Sequence, residues 1–424
     1  MEDGFRAIIK IPYWISVPRT YATASEVASL AFLRSKKIPV PEVYGWSSVT
    51  DNPVGVEYII IEHVAGVGIV DIEKKLCSIP LGAIGSLYFR SDLPPQLRAP
   101  LYAVGTPDEA GDSQTYCIVP TADYMFWYGQ RSKLDLDRGP WTDPKDYLRA
   151  IAEKEVKWIE KYGKPLENGI PHNIAFPGVK LPQDYLSSSR NLTPSNVFIC
   201  PDTFKVRSII DWQHTIITPL LLTAGYPKIF ENPNPKHPSE LKPPKYPPGY
   251  ETMSPDEQAQ VDELIRRQSL FYLYRVFNGG LNKVHLEALR DPLILQRQHL
   301  VDSAGRQWSG DIVTLRGALM RMQNLWSYLI GKDHHVKCPI DFSEQEVTDQ
   351  AESEQTWYNL NILINKWLDE LGGLSEEGWL PAQRYEAAVK RNKSLMAEFS
   401  DGASPDELEK VKRGWPFQDH DELY

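Results

Sequence analysis

The chain has 424 residues, of which 42% are hydrophobic and 24% charged, and its formal net charge is −10. This predicts a globular protein with room for two packed lobes, and the acidic balance argues against a general nucleic-acid binder, which needs a basic surface. The cysteines at 77, 117, 200 and 338 form no CxxC pair and no Cys/His cluster of zinc spacing, which argues against a structural metal site and fits a reducing compartment.

The opening stretch, MEDGFRAIIKIPYW, has neither the apolar core of a signal peptide nor the arginines of a transit peptide. No apolar run approaches the ~18 residues of a membrane span, so a soluble, intracellular protein is expected. Residues 6–12 form a short β-rich run. Residues 23–35 read as a helix, with Val27, Ala28, Leu30, Ala31 and Leu33 mostly on one face and with capping-box spacing between Thr23 and Glu26. Residues 37–47 are punctuated by proline and extended. Residues 56–66 form a continuous apolar strand, as at a sheet centre, and end in a turn at Gly66. Strand pieces follow at GSLYFRSDL and TYCIVPTADYMFWYG. A helix spans 143–163 with Asp143 as its cap, and 164–189 is loop-like. Two short strands at 197–200 and 206–210 flank a turn. Eight prolines between 226 and 250 make an extended surface excursion. Helical patterns then occupy 255–278, 281–302, 311–330, 344–371 and 381–398, before a polar tail with one short helix. This order predicts an α+β protein with a small lobe at 1–66 and a larger lobe at 67–331. The larger lobe carries the hairpin region 189–215 and the excursion 226–250, and a helical extension covers 332–424.

The hairpin carries the strongest chemical signal. Asn196 precedes its first strand and Asp211 follows its second, and an antiparallel pair brings its open ends together. An amide oxygen and a carboxylate placed side by side are hard ligands suited to Mg²⁺. Asn191 lies five residues before Asn196. Read singly, Lys10 could be an ordinary edge-strand lysine, Glu26 only a capping glutamate, and Asn191 a turn residue satisfying its own backbone. Asp211, at the end of an apolar strand, needs a partner, and a metal- or phosphate-linked role suits it. His214 reads as structural, and Trp127 and Trp212 as core or interface aromatics.

RNLTPSNVFI followed by IIDWQHT resembles the catalytic loop of protein-kinase-like folds, in which an Asp is followed five residues later by an Asn and a second Asp follows the hairpin. TASEVASLAFLR, IPVPEVYGWSS, NPVGVEYIIIEHVAG, EKKLCSIPLGAIGSLYFRSDL and DYMFWYGQRSKLDLDRGPW occur in the same order over most of 7–220. Together they are similar to the fungal aminoglycoside-phosphotransferase-type family, which includes proteins of the altered inheritance of mitochondria protein 9 type. The resemblance implies a bilobal protein-kinase-like fold, a mitochondrial location, and an ATP- and Mg-dependent phosphotransferase acting on an unknown small-molecule or protein acceptor. By position, Lys10 looks like the lysine that holds the nucleotide phosphates, and Glu26 like its helix partner. Glu62, His63 and Val64 look like the segment beside the adenine, and Asn196 and Asp211 match the metal ligands. Asn191 departs from the pattern: it is neutral where the family has Asp, and loss of a general base costs roughly 10²–10⁴-fold in rate. Only nine residues, with the single glycine Gly4, precede Lys10, so a Gly-rich hairpin over the phosphates is expected to be missing. The step from VAGVGI to DIEKKL is also shorter than usual for the family. A phosphotransferase architecture with impaired transfer is therefore expected; the alternative is a pseudokinase serving as a binding or scaffold module.

Overall fold

The structure, a computed structural model, describes residues 7–12, 18–62, 69–162, 197–199, 206–227, 230–231, 241–305, 312–330, 336–372, 382–415 and 417. The chain divides into two compact units. One comprises Met1–Trp127, Arg138–Tyr147 and Asp184–Ile294; the other comprises Tyr128–Asp137, Leu148–Gln183 and Leu295–Tyr424.

In the first unit, β1 (Ala7–Lys10), β2 (Val43–Ser47) and β3 (Tyr58–Glu62) form an antiparallel sheet in the order β1-β3-β2, so the apolar run YIIIE takes the centre. Lys10 lies opposite Ile59, and Ile9 opposite Ile60. Directly opposed residues share a face. Ile59 is buried, so Lys10 belongs to the inner face, while Ile9 and Ile11 are exposed.

Helix α1 (Tyr21–Ser35) is buried over most of its circumference, which its small residues Ala22, Ala24, Ser25, Ala28 and Ser29 permit. It starts two residues before Thr23, so the expected Thr23–Glu26 capping box does not form. Glu57 does that work from outside the helix. Its carboxylate accepts from the Thr20 N–H at 3.1 Å and from Thr23 Oγ1 at 2.7 Å, placing negative charge at the helix N-terminus. Glu26 is thereby left for another partner.

Helix α2 (Ile69–Cys77) precedes the antiparallel pair β4 (Ser86–Phe89) and β5 (Tyr116–Val119), with the one-turn helix α3 (Asp112–Thr115) before β5. The stretch after β5 is a 3₁₀ turn rather than a strand, because Asp123 Oδ1 captures the Met125 N–H at 2.9 Å. Helix α4 (Pro144–Tyr162) begins in this unit. Asp143 caps it as expected, accepting from the Lys145 N–H at 2.8 Å. The expected hairpin is present as β6 (Val197–Ile199) and β7 (Val206–Ile209), antiparallel with Val197 opposite Ile209. After it come α5 (Leu220–Thr223), α6 (Pro255–Leu281) and α7 (Lys283–Leu289). One core runs through Val27, Leu30, Ile59, Ile72, Ile118 and Trp212. Gly85 allows the chain after Asp211 to dock. Gly85 and Ile217 exchange backbone hydrogen bonds at 3.2 and 2.7 Å, and a Cβ on Gly85 would meet the Val119 carbonyl oxygen at 2.3 Å.

The second unit holds the rest of α4 with α8 (Ile294–Gly305), α9 (Val313–Asn324), α10 (Trp326–Ile330), α11 (Glu344–Glu370), α12 (Tyr385–Phe399) and α13 (Pro405–Gly414). The single helix expected over 281–302 is instead two, α7 and α8, because Pro292 breaks the hydrogen-bond ladder between them. The pattern at 311–330 likewise divides at Leu325. Ile364, Trp367, Leu371, Leu395 and Trp415 make a core of α11, α12 and the end of α13, with the Trp367 and Trp415 rings 4.9 Å apart. Reciprocal capping boxes start α6 (Ser254 with Glu257), α11 (Ser343 with Glu346) and α13 (Ser404 with Glu407). Among the described residues, no helix is long and apolar enough to cross a membrane.

Candidate functional site

The inward turn of Lys10 brings it to two carboxylates within the first unit. Lys10 Nζ donates to both oxygens of Glu26 at 2.9 Å and to Asp211 Oδ1 at 2.7 Å. The Lys10–Glu26 pair expected from the sequence is therefore formed. The contact with Asp211, across 201 positions of sequence, was not foreseen. An ammonium has three donors, and these three contacts use them.

The members differ in exposure. The Glu26 side chain is 4% exposed, that of Lys10 26% and that of Asp211 41%. Burial acts to lower the Lys10 pKa, but Glu26 and Asp211 outweigh it and hold the ammonium above its ordinary value. Burial pushes the Glu26 carboxyl up, opposed by Lys10 and by a hydrogen bond from the Trp212 backbone. The arrangement is a firm Lys10–Glu26 pair with a more exposed carboxylate on its outer side.

The segment that presents Asp211 is held on both sides. Trp212 is buried in the core and its Nε1 donates to the Ile209 carbonyl at 3.0 Å. Asp211 and His214 both take left-handed backbone conformations, at φ 64° and 60°. Asp and His tolerate that region better than most residues, and such strain persists only where the surroundings over-determine it. His214 Nδ1 donates to the Ala122 carbonyl at 3.0 Å, and burial lowers its pKa to about 4, so it stays neutral. Ser86 Oγ joins the two sides, donating to the Thr215 carbonyl at 3.0 Å and accepting from the Ala122 N–H at 2.9 Å.

Asn191, Asn196, His63 and Val64 lie outside the described residues. Glu62 ends β3. Its N–H donates to the Glu42 carbonyl at 2.8 Å, and its carboxylate takes Arg34 at 3.0 Å and the Glu42 N–H at 3.1 Å. Its amide and side chain are thus engaged around the sheet. Among the described residues, no group of three or more His, Cys, Asp or Glu side chains is placed to hold a metal ion. A cation here would rest on Asp211 with ligands from elsewhere, which suits Mg²⁺ only where phosphates complete its shell.

Sequence reasoning missed Glu57 as the outside cap of α1, because its partners are 34 and 37 residues away. It also missed Glu73, which is buried and accepts from the Tyr274 hydroxyl at 2.8 and 2.9 Å. Nothing in IVDIEKKLC distinguishes Glu73 from a solvated helix carboxylate.

The chain is similar to curated fungal proteins along nearly its whole length. A subtelomeric hrmA-associated cluster protein of Aspergillus fumigatus is 28% identical over 494 positions, covering 99% of this chain and 94% of the relative. Altered inheritance of mitochondria protein 9, mitochondrial, of Yarrowia lipolytica is 23% identical, covering 91% of this chain and 73% of the relative. Its Candida albicans counterpart is also 23% identical, covering 99% of this chain and 75% of the relative. No family model matches the chain. No solved structure matches it.

Proposed function

We propose that this chain is a kinase-like, nucleotide-binding protein of the phosphotransferase type whose transfer step is impaired. The observation that carries this reading is the inward orientation of Lys10 on β1, held by Glu26 and Asp211, while Ile9 on the strand and Ile11 just after it are exposed. Stability alone would favour burying Ile9 and Ile11 and leaving the lysine in water, yet the observed register puts Lys10 on the inner face beside Ile8. A local rule broken in this way, with the misplaced group tied by three hydrogen bonds, is the mark of a functional position.

The chemistry follows from the exposures. Glu26 keeps Lys10 charged and oriented. Asp211 is the outer, more accessible carboxylate, and drawing it onto a hard cation releases one Lys10 N–H for a phosphate oxygen. Binding of cation and phosphate is then coupled through one proton donor. Asn191, neutral at the position where the resembled family has Asp, supports the impaired step, because it cannot take up a hydroxyl proton. If the transfer step is wholly lost, the same site would serve a binding module. A mitochondrial setting is part of the proposal, supported by the names of the Yarrowia and Candida relatives.

The test is calorimetric titration of ATP with and without Mg²⁺ on the native chain and on Asp211→Asn, alongside a transfer and hydrolysis assay. We expect Mg²⁺-dependent binding by the native chain, loss of the Mg²⁺ dependence in Asp211→Asn, and turnover at or near background. No nucleotide affinity, or unchanged Mg²⁺ dependence in the variant, overturns the binding assignment. Brisk turnover overturns the impairment and leaves a working enzyme.

A further inference from the structure

A cavity in the first unit, separate from the Lys10 cluster, has a volume of about 340 Å³. That lies within the ordinary range for small-molecule sites, roughly 300–1,000 Å³. Its lining has two characters. Phe32 and Leu33 from α1, Leu87 from β4, and Trp212 and Ile216 are apolar. Glu73 and Cys77, one helical turn apart on α2, and His285 on α7 supply the polar groups. These gather with Tyr274 of α6: its hydroxyl bonds Glu73 at 2.8 Å, and its ring stands edge-on to His285 with centroids 6.4 Å apart.

Two acceptors in this group, the Glu73 carboxylate and the His285 ring nitrogen, are incompletely satisfied. Glu73 is 1% exposed, and among the described residues the Tyr274 hydroxyl is its hydrogen-bond partner and no cation lies beside it. Buried carboxylates are ordinarily paired with a charge or a metal. His285 is 2% exposed; its ring bonds the Gly225 carbonyl, and its Nδ1 has no hydrogen-bond partner among the described residues. The hydroxyl of Thr218, another lining residue, is likewise buried without a partner among the described residues. Burial pushes the Glu73 carboxyl up to about 7, against the Tyr274 hydrogen bond, and pushes the Cys77 thiol up and the His285 imidazole down. Near neutral pH the cavity therefore offers an ionisable carboxylate, a neutral imidazole and a neutral thiol.

We propose that this cavity binds an apolar primary amine, with the ammonium on Glu73 and the hydrocarbon body against Phe32, Leu87 and Trp212. An ammonium supplies the donors that Glu73 and His285 Nδ1 lack and the positive charge that Glu73 lacks, while its apolar body matches the rest of the wall. An anion is excluded by the carboxylate. A neutral alcohol would fill the same volume but leave the charge uncompensated.

The experiment uses the full chain at about pH 8, where Glu73 is ionised and the amine remains charged. 4-Phenylbutylamine and its isostere 4-phenylbutan-1-ol are titrated by calorimetry. We expect one saturable site for the amine and at least tenfold weaker binding of the alcohol. Glu73→Gln keeps an acceptor for Tyr274 and nearly the same shape, and should bring the amine down to the alcohol's affinity. Ala224→Phe, which places a ring in the cavity wall, should abolish both. Equal binding of the two probes by the native chain, absence of amine binding, or a preference for the amine that survives Glu73→Gln overturns the proposal. If Ala224→Phe fails to fold, the comparison of probes on Glu73→Gln decides alone.

Discussion

Replacing Lys10 with Met keeps most of the apolar stem and removes the cation that Glu26 holds at 2.9 Å. Glu26 is 3% exposed, so its carboxylate would be left buried and unpaired. Breaking a buried ion pair in this way costs about 3–5 kcal/mol. The carboxyl has an escape, because it can take a proton from solvent. With an unfolded-state pKa near ~4.3 and ~1.36 kcal/mol per pKa unit, that escape caps the cost at about 3.7 kcal/mol at pH 7 and about 1 kcal/mol at pH 5. The sign follows from proton counting. In the variant the folded-state pKa of Glu26 lies further above its unfolded value, so the folded chain holds more protons than the unfolded one. The penalty is then absent below ~4.3 and grows as pH rises toward the folded pKa. Urea unfolding of both chains at about pH 5 and pH 7 reads the difference. We expect a deficit of roughly 2–4 kcal/mol at the higher pH, shrinking to about 1 kcal/mol or less at the lower. Equal stability at pH 7 would refute the pairing, and a deficit unchanged with pH would show that packing rather than charge is responsible.

His214 is held neutral by burial, with its pKa lowered to about 4. The stability it contributes is fully present above ~6.5 and is lost as pH falls through about 4, up to roughly 3 kcal/mol. His214→Asn, which tolerates the same left-handed backbone, should flatten that acid limb in a series of unfolding curves. Glu57→Ala leaves the start of α1 uncapped and should destabilise the chain by about 1 kcal/mol in the same measurement; a change near zero would remove its capping role. Gly85→Ala drives a methyl against the Val119 carbonyl and should cost roughly 1–3 kcal/mol, visible as a lowered unfolding midpoint.

Local signals in the sequence located most elements. The apolar run YIIIE, the Asp143 cap and the paired strands β6 and β7 all lie where the sequence pattern places them. Local signals misled where a distant partner decides the outcome. Thr23 and Glu26 have the spacing of a capping box, but Glu57 satisfies the helix end and Glu26 turns to Lys10. Pro292 was a readable break inside a pattern that otherwise looked continuous. At the site, the Lys10–Glu26 pair was legible because a strand lysine and a helix glutamate can meet across a sheet and helix. The Lys10–Asp211 contact was not, since no periodicity encodes a meeting across 201 positions. Glu73 and Tyr274, separated by the same number of positions, were equally silent.

Those two long-range contacts, Lys10 with Asp211 and Glu73 with Tyr274, set an order on the birth of the protein. Translation proceeds at about 5–20 residues per second. Lys10 and Glu26 therefore leave the ribosome roughly 10–40 s before the residue that completes their cluster. During that interval α1, which the finished fold covers nearly all round, has no Trp212 or Ile209 to lie against. Until then the core that holds α1 lacks Ile209 and Trp212, the two of its buried residues that come from beyond Ile118. A chain that stalls before the hairpin would carry Lys10 and Glu26 but no assembled site.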